Sequence, residues 1–347
     1  MGIGILHKYK DYINLDGAVP ISMGEGDTPL VYSDYLSKET GASVYLKIEG
    51  CNPSGSFKDR GMVVAVCKAL QKNKKVLVCA STGNTSASAS AYAAKFGLNS
   101  VIIIPSGNIA KGKLAQAMAF GAKIIAIDGS FDDALNIVRK LEGETDIEIV
   151  NSINPYRIEG QKTAAFEIID SLGEIDYLCI PVGNAGNISA YWKGFKEYSS
   201  IKSFEPPSML GFQAEGSAPI VKGEIIEKPE TIATAIRIGN PASWKNAELA
   251  LEESNGSIHS VTDDEIIKSY VNLARKDGIY CEPASAAGVA GLIKLTKKID
   301  FNEKKITCVV TGNGLKDPST SEKFASTNIY QSSPELSEVL EAINKKD

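Results

Sequence analysis

Short β-branched runs alternate along this chain with segments whose apolar positions recur at the helical period, and Gly, Asn and Ser punctuate the changes. Residues 75–80 predict a strand, 81–85 a turn, and the alanine-rich stretch that follows predicts a helix to about Phe96. Gly97 then suits a helix C-terminus, where glycine takes positive φ without strain. The alternation continues with strand 101–104, helix 113–120 closed by Gly121, strand 123–127, helix 131–141 and strand 147–150. A helix over about 159–171 and a strand over 177–181 follow. Farther on, Thr262 predicts the N-cap of a helix over 263–276. A short strand at 279–281, a helix over 284–297, a core strand at 306–310 and a closing helix over 334–345 complete the pattern. Each strand-to-strand connection is long enough for a crossover, so the pattern predicts an α/β fold of parallel sheets covered by helices on both faces.

A length of 347 residues leaves room for two lobes, since single cores stop growing near ~250–300 residues. The expected division is a small lobe over 56–150, inserted into a larger one built from 1–55 and 151–347. The charge balance, 37 minus 42 or −5, offers no basic face for nucleic acid. Apolar runs such as 101–105 fall far short of the ~20 residues of a membrane span, and the first residues lack a secretory pattern. A cytoplasmic protein without nucleic-acid or membrane partners is therefore expected. Six cysteines, none in C-x-x-C spacing, read as buried reduced thiols. The two histidines, His7 and His259, have no companion for a zinc site and no glycine-rich turn beside them for a triad. No metal is expected, and the reactive group has to be found elsewhere.

Three strand–loop–helix junctions offer it surroundings. Gly183-Asn184-Ala185-Gly186-Asn187 follows a strand and opens a helix, so its N–H groups and the helix dipole suit a phosphate. The same run also works as a plain connection. It lacks both the G-x-G-x-x-G order of a nicotinamide site and the G-K-[ST] of a Walker loop. Ser81-Thr82-Gly83-Asn84-Thr85 places two kinds of polar side chain at a helix start, a cradle for a carboxylate or an ordinary N-cap. Thr311-Gly312-Asn313-Gly314 reads by itself as a turn. Lys58 comes just after Pro53-Ser54-Gly55 and opens an apolar helix, where burial and the helix dipole disfavour its charge. A lysine pulled from ~10.4 toward ~7–8 becomes a useful base or imine-former.

Together, segments 52–60, 81–85, 183–187 and 311–314 resemble the signatures of fold-type II pyridoxal 5′-phosphate (PLP) enzymes, the group that includes tryptophan synthase β, cysteine synthase and threonine dehydratase. Gly24-Glu25-Gly26-Asp27-Thr28-Pro29-Leu30 and the run 154–163 resemble the threonine synthases within it, and the likeness extends over about 20–325. The resemblance implies two lobes, each a mostly parallel sheet flanked by helices, with the larger lobe binding PLP, and a homodimer. It implies that Lys58 carries PLP as a Schiff base, with Phe57 beside the ring, Asn84 at the ring hydroxyl and Thr311 at the ring nitrogen. The backbone of Gly183, Asn184, Ala185, Gly186 and Asn187 would hold the cofactor phosphate. Ser81, Thr82 and Thr85 would bind the substrate carboxylate, and Arg157, with Asn154, Asn184 and Lys113 in support, the substrate phosphate. Threonine at 311 departs from the serine usual in cysteine synthase and threonine dehydratase.

The implied reaction turns O-phospho-L-homoserine and water into L-threonine and phosphate by β,γ-elimination and replacement. A threonine or serine dehydratase of the same fold would instead release a 2-oxo acid. A ligand-binding paralogue would lack the chemistry altogether, against which Lys58, Asn84 and Thr311 stand together. The stretch before residue 24 is short, so the S-adenosylmethionine activation of plant-type threonine synthases is not expected.

Overall fold

A computed structural model describes residues 3–108, 111–152, 154–324 and 329–345. The chain opens with α1 (Ile5–Lys8), β1 (Leu30–Tyr32), α2 (Asp34–Thr40) and β2 (Ser43–Ile48). Helix α3 (Lys58–Gln71) then leads to β3 (Val76–Ala80), α4 (Asn84–Phe96), β4 (Asn99–Pro105), α5 (Lys111–Ala119), β5 (Lys123–Ile127), α6 (Phe131–Lys140) and β6 (Ile147–Ile149). Next come α7 (Tyr156–Gln161), α8 (Thr163–Leu172), β7 (Tyr177–Pro181), α9 (Gly186–Lys202), β8 (Ser208–Ala214), α10 (Pro219–Lys222), α11 (Trp244–Glu253) and β9 (Ser257–Val261). The last part holds α12 (Asp263–Asp277), α13 (Pro283–Leu295), β10 (Lys305–Val310), α14 (Pro318–Phe324) and α15 (Leu336–Asn344).

Two sheets organise these elements. One has the order β1-β2-β10-β7-β8-β9 and the other β5-β4-β3-β6. Every pairing is parallel except β1 with β2, where Leu30 faces Lys47. The alternation of strand and crossover helix produces this, because parallel neighbours need a covered return path. In the larger sheet β10 and β7 are central, with Cys308 opposite Cys179. Their strands are apolar on both faces, as a doubly covered sheet requires. Helix α13 lies close beneath: a Cβ at Gly291 would stand 1.9 Å from the Phe212 ring, so the helix packs at this distance only with glycine there. The smaller sheet encloses Val78, Ala80 and Ile103 against Ala134 and Val138 of α6.

The sequence pattern differs from the structure in a few places. The helix expected over 159–171 is two helices, α7 and α8, which meet at Lys162. The strand expected at 279–281 is a single bridge between Cys281 and Asn313. Strands β1, β2, β8 and β9 carry no prior expectation, and β1 and β9 are half-covered edges whose short runs give a weak period. The Thr262 cap is present with a reciprocal capping box: Glu265 N–H donates to Thr262 Oγ1, and Thr262 N–H to Glu265 Oε2. Cys51 is exposed, unlike the other five cysteines. Among the described residues, no helix is long and apolar enough to cross a membrane, and no cluster of three His, Cys, Asp or Glu side chains is placed to hold a metal.

Candidate active site

The carboxyl ends of four parallel strands converge, which is where open α/β sheets bind ligands. Strand β2 leads through 49–57 to Lys58, β3 to Ser81, β7 to Gly183 and β10 to Thr311. Backbone pairing fixes the lysine loop against the β10 loop. Phe57 N–H donates to Thr311 O at 3.0 Å, Asn313 N–H to Gly55 O at 2.9 Å, and Ser56 bridges Gly312. A third segment joins them, for Glu282 N–H donates to Gly312 O at 3.0 Å. Three stretches far apart in the chain thus form one small backbone patch.

Lys58 is the first residue of α3 and is half-buried, with its Nζ 4.2 Å from the centre of the Phe57 ring. Enclosure by protein lowers its amine to about 7, the positive charge of Arg157 adds to this, and Glu282 opposes it. Asp59 beside it is sealed in: its carboxylate accepts from Ser54 N–H and Ser54 Oγ at 2.6 Å and from Ser88 Oγ at 2.5 Å. Burial raises this carboxyl despite those bonds.

Arg157 on α7 is 1% exposed and its Nη1 donates to Val150 O at 3.3 Å, while its Nε has no hydrogen-bond partner. Burial lowers the guanidinium to about 10. A buried cation so poorly compensated is a standing demand for an anion. Helices α3 and α7 touch at two glycines that bring this cation near the lysine. A Cβ at Gly61 would stand 2.7 Å from Arg157 O, and one at Gly160 1.8 Å from Arg60 O.

The turn after β7 carries Ala185 at φ 64, a left-handed conformation uncommon for a non-glycine residue. It aims the first turn of α9 into the cleft end of the sheet. Asn184 is held by its neighbours, accepting from Ala242 N–H at its Oδ1 and from Ser243 N–H at its carbonyl, both at 3.1 Å. Asn187 accepts from Gln161 Nε2, but its own Nδ2 is buried without a partner. Gly183 lies beneath Ile236, whose Cα would be 2.9 Å from an added Cβ. Bare N–H groups, an orphaned amide donor and a half-neutral lysine fit a phosphorylated aldehyde.

Asn84 opens α4, and its Nδ2 donates to both carboxylate oxygens of Glu282 at 3.0 Å. Thr311 Oγ1 is 2.8 Å from Ser285 Oγ, which accepts from Gly312 N–H at 2.9 Å. Ser81 Oγ accepts from Gly83 N–H, and Ser81, Thr82 and Thr85 are half-buried at the start of α4. Asn154 donates to Ile149 O and Glu148 and accepts from Tyr156 N–H, which shapes the chain at the start of α7. The side chain of Lys113 lies outside the described residues. Sequence reading missed Glu282, Ser285 and Asn151, the last of which pairs with both N–H and C=O of Ala80 at 3.0 Å. Glu282-Pro283 ahead of an apolar helix was the available signal, a charged residue at an N-cap.

Comparison with known proteins completes the description. A family model described as "Pyridoxal-phosphate dependent enzyme" matches residues 21–312. The chain is 55% identical to the threonine synthase of Halalkalibacterium halodurans, over 94% of this chain and 93% of that protein. It is 53% identical to that of Synechocystis, covering 91% and 84%, and 50% identical to that of Methanocaldococcus jannaschii, covering 90% and 80%. Solved structures share the fold at lower identity. Processed threonine deaminase isoform 2 of Solanum lycopersicum gives a TM-score of 0.77 at 20% identity, covering 92% of this chain and 88% of that one. Maize serine racemase gives 0.73 at 22%, covering 86% and 91%.

Proposed function

The chain belongs to the pyridoxal-phosphate dependent enzymes, among the threonine synthases, and from that membership we propose that it converts O-phospho-L-homoserine and water to L-threonine and phosphate with Lys58 as its mobile base. The observation that carries the reading is geometric: Lys58 opens α3 with its amine over the Phe57 ring, its loop is paired to the Thr311 loop, and the charge of the under-compensated Arg157 adds to the enclosure that lowers the amine to about 7. When bound, PLP supplies an electron sink that acidifies the carbon positions next to the substrate nitrogen. Lys58 would hold it by the aldehyde, Phe57 beside the ring, Asn84 at the ring hydroxyl, and residues 183–187 at the phosphate, with Asn187 Nδ2 as an added donor. The Thr311 hydroxyl would face the ring nitrogen. It carries no charge, so it cannot stabilise a protonated ring as a carboxylate does, and this favours elimination and replacement over transamination.

The side chains then divide the work. Ser81, Thr82 and Thr85, at the positive end of α4, grip the substrate carboxylate and orient the α-hydrogen. Lys58, close to half-charged near neutrality, can take that proton and return one elsewhere without a large energy gap. Arg157 holds the γ-phosphate and stabilises it as it leaves. We further propose the lobe limits 1–55 with 151–347 and 56–150, a homodimer and a cytoplasmic location.

Purified protein supplied separately with O-phosphohomoserine and with threonine, assayed for phosphate and for oxo acid, tests the proposal. Phosphate from the first substrate is expected. Oxo acid from threonine with no phosphate from the first would assign the chain a dehydratase reaction instead. Lys58→Ala should abolish both turnover and the cofactor's long-wavelength absorption.

A further inference from the structure

Glu282 is the N-cap residue of α13, a place where a carboxylate ordinarily turns back to accept from its own helix. Here it makes no cap hydrogen bond. Its side chain instead crosses to the start of α4 and receives the Asn84 amide at 3.0 Å on each oxygen, 198 residues away in the chain. The carboxylate is buried, at 6% exposure, and glycine at 312 makes the room: a Cβ there would stand 2.5 Å from Glu282 Oε1. Burial raises its carboxyl, against which the Asn84 amide and the charges of Lys316 and Lys58 favour the ionised form, and Lys316 is itself tied to Gln116 of α5 at 2.7 Å.

The chemistry of this pair is one-sided. A carboxylate only accepts, so it admits the nitrogen of an amide and excludes the oxygen. An asparagine without such a partner can turn by half a circle at little cost and offer either end. Resting on the reading of Asn84 as the residue at the cofactor's ring hydroxyl, we propose that Glu282 is a positioning residue of the reaction: it locks the Asn84 amide in one orientation, so that the polar groups offered to the ring hydroxyl are always the same. Helix α13 thereby sets the geometry of a residue on α4, and Gly312 of the β10 loop provides the space.

The test is a double-mutant cycle on cofactor-free protein titrated with PLP, following affinity and absorption spectrum together. Glu282→Gln keeps the shape but can offer either a donor or an acceptor, so it should release the lock. About a tenfold weaker PLP affinity is expected, the usual scale for losing a charge-assisted hydrogen bond. The spectrum should shift in the direction produced by Asn84→Ala, which a general loosening of α13 would not reproduce. In the Asn84→Ala background, Glu282→Gln should have little further effect. Normal affinity and spectrum in Glu282→Gln, or an undiminished effect in the double variant, would overturn the assignment while leaving Lys58 in its role. Failure of the unaltered protein to take up PLP through Lys58 would instead remove the reading beneath it. Should Glu282→Gln not fold, Glu282→Asp, which keeps the charge but shortens the reach, carries the same comparison.

Discussion

Enclosure and the charge of Arg157 lower the Lys58 amine to about 7 against the opposing pull of Glu282, and the two lowering causes can be separated by experiment. Acylation of cofactor-free protein across pH, read at the Lys58 peptide by mass spectrometry, should show reactivity rising through a midpoint near 7. An ordinary lysine titrates near ~10.4. Arg157 disfavours the charged amine, so Arg157→Gln should move that midpoint upward. The same substitution should raise KM for O-phosphohomoserine about tenfold or more, because truncating a buried phosphate partner costs several kcal/mol. A midpoint that stays put in Arg157→Gln would mean that enclosure alone tunes the lysine. Cys79, fully enclosed, is pushed up to about 12, so it should stay inert to alkylation under the same conditions.

Helices α3 and α8 are joined, together with β2, by a buried ionic cluster that no local pattern announces. Arg60, two residues past the lysine, donates from Nε to Glu49 at 2.7 Å and from Nη1 and Nη2 to Glu167 at 2.7 Å each. Lys47 donates to Glu167 and to Thr28 O at 2.7 Å. The glycine-rich opening motif wraps this cluster: Asp27 N–H donates to Glu167 Oε1 and Thr28 Oγ1 to Glu49, so the motif anchors the lysine helix at its base. Arg60 and Lys47 hold the Glu167 carboxyl well below its usual range against the opposing effect of burial. A carboxyl depressed in the folded state stabilises above its unfolded value of ~4.3, and that stabilisation is lost as pH falls further. Glu167→Gln should therefore lower stability by roughly 3–5 kcal/mol at neutral pH, measured by urea unfolding. The gap from the unaltered protein should narrow below about pH 4. Gly160→Ala, at the α3–α7 contact, should cost about 1–3 kcal/mol by overpacking and also lower kcat/KM, since it separates Arg157 from Lys58. An alanine variant with full activity and stability would show that the two helices can part without consequence.

At the scale of the molecule, the site lies where two sheets present their strand ends to one another, so a ligand held there should bind only the folded chain. Saturating PLP at about a hundred times its Kd should then stabilise the protein by ~2.7 kcal/mol, seen as a higher Tm. Lys58→Ala should lose most of that gain. Much of the fold was legible beforehand because crossover-length connections leave few arrangements for parallel strands. Strands β1, β2, β8 and β9 of the larger sheet were not, and β1, with three residues, is too short to show a period. The proposed site was read from stretches where chemistry and backbone coincide, as at Lys58, 183–187 and Thr311. Residues that act across the cleft, Glu282 on Asn84 and Ser285 on Thr311, were not, because their partners are 198 and 26 positions away.

What the amino-acid order determined by itself was local: which runs become strands or helices, where glycine must relieve the backbone, and which lysine begins an apolar helix. These follow from propensity, period and steric limits acting within a few residues. Tertiary structure alone decided how charged that lysine is, which end of Asn84 meets Glu282, and that Arg157 is sealed while Asn154 caps a turn. Those properties depend on distance and on exclusion of water between groups that packing brings together, as far apart in the chain as the 198 positions between Asn84 and Glu282. A buried charge responds to its nearest neighbours in space, and only the packed chain says who they are.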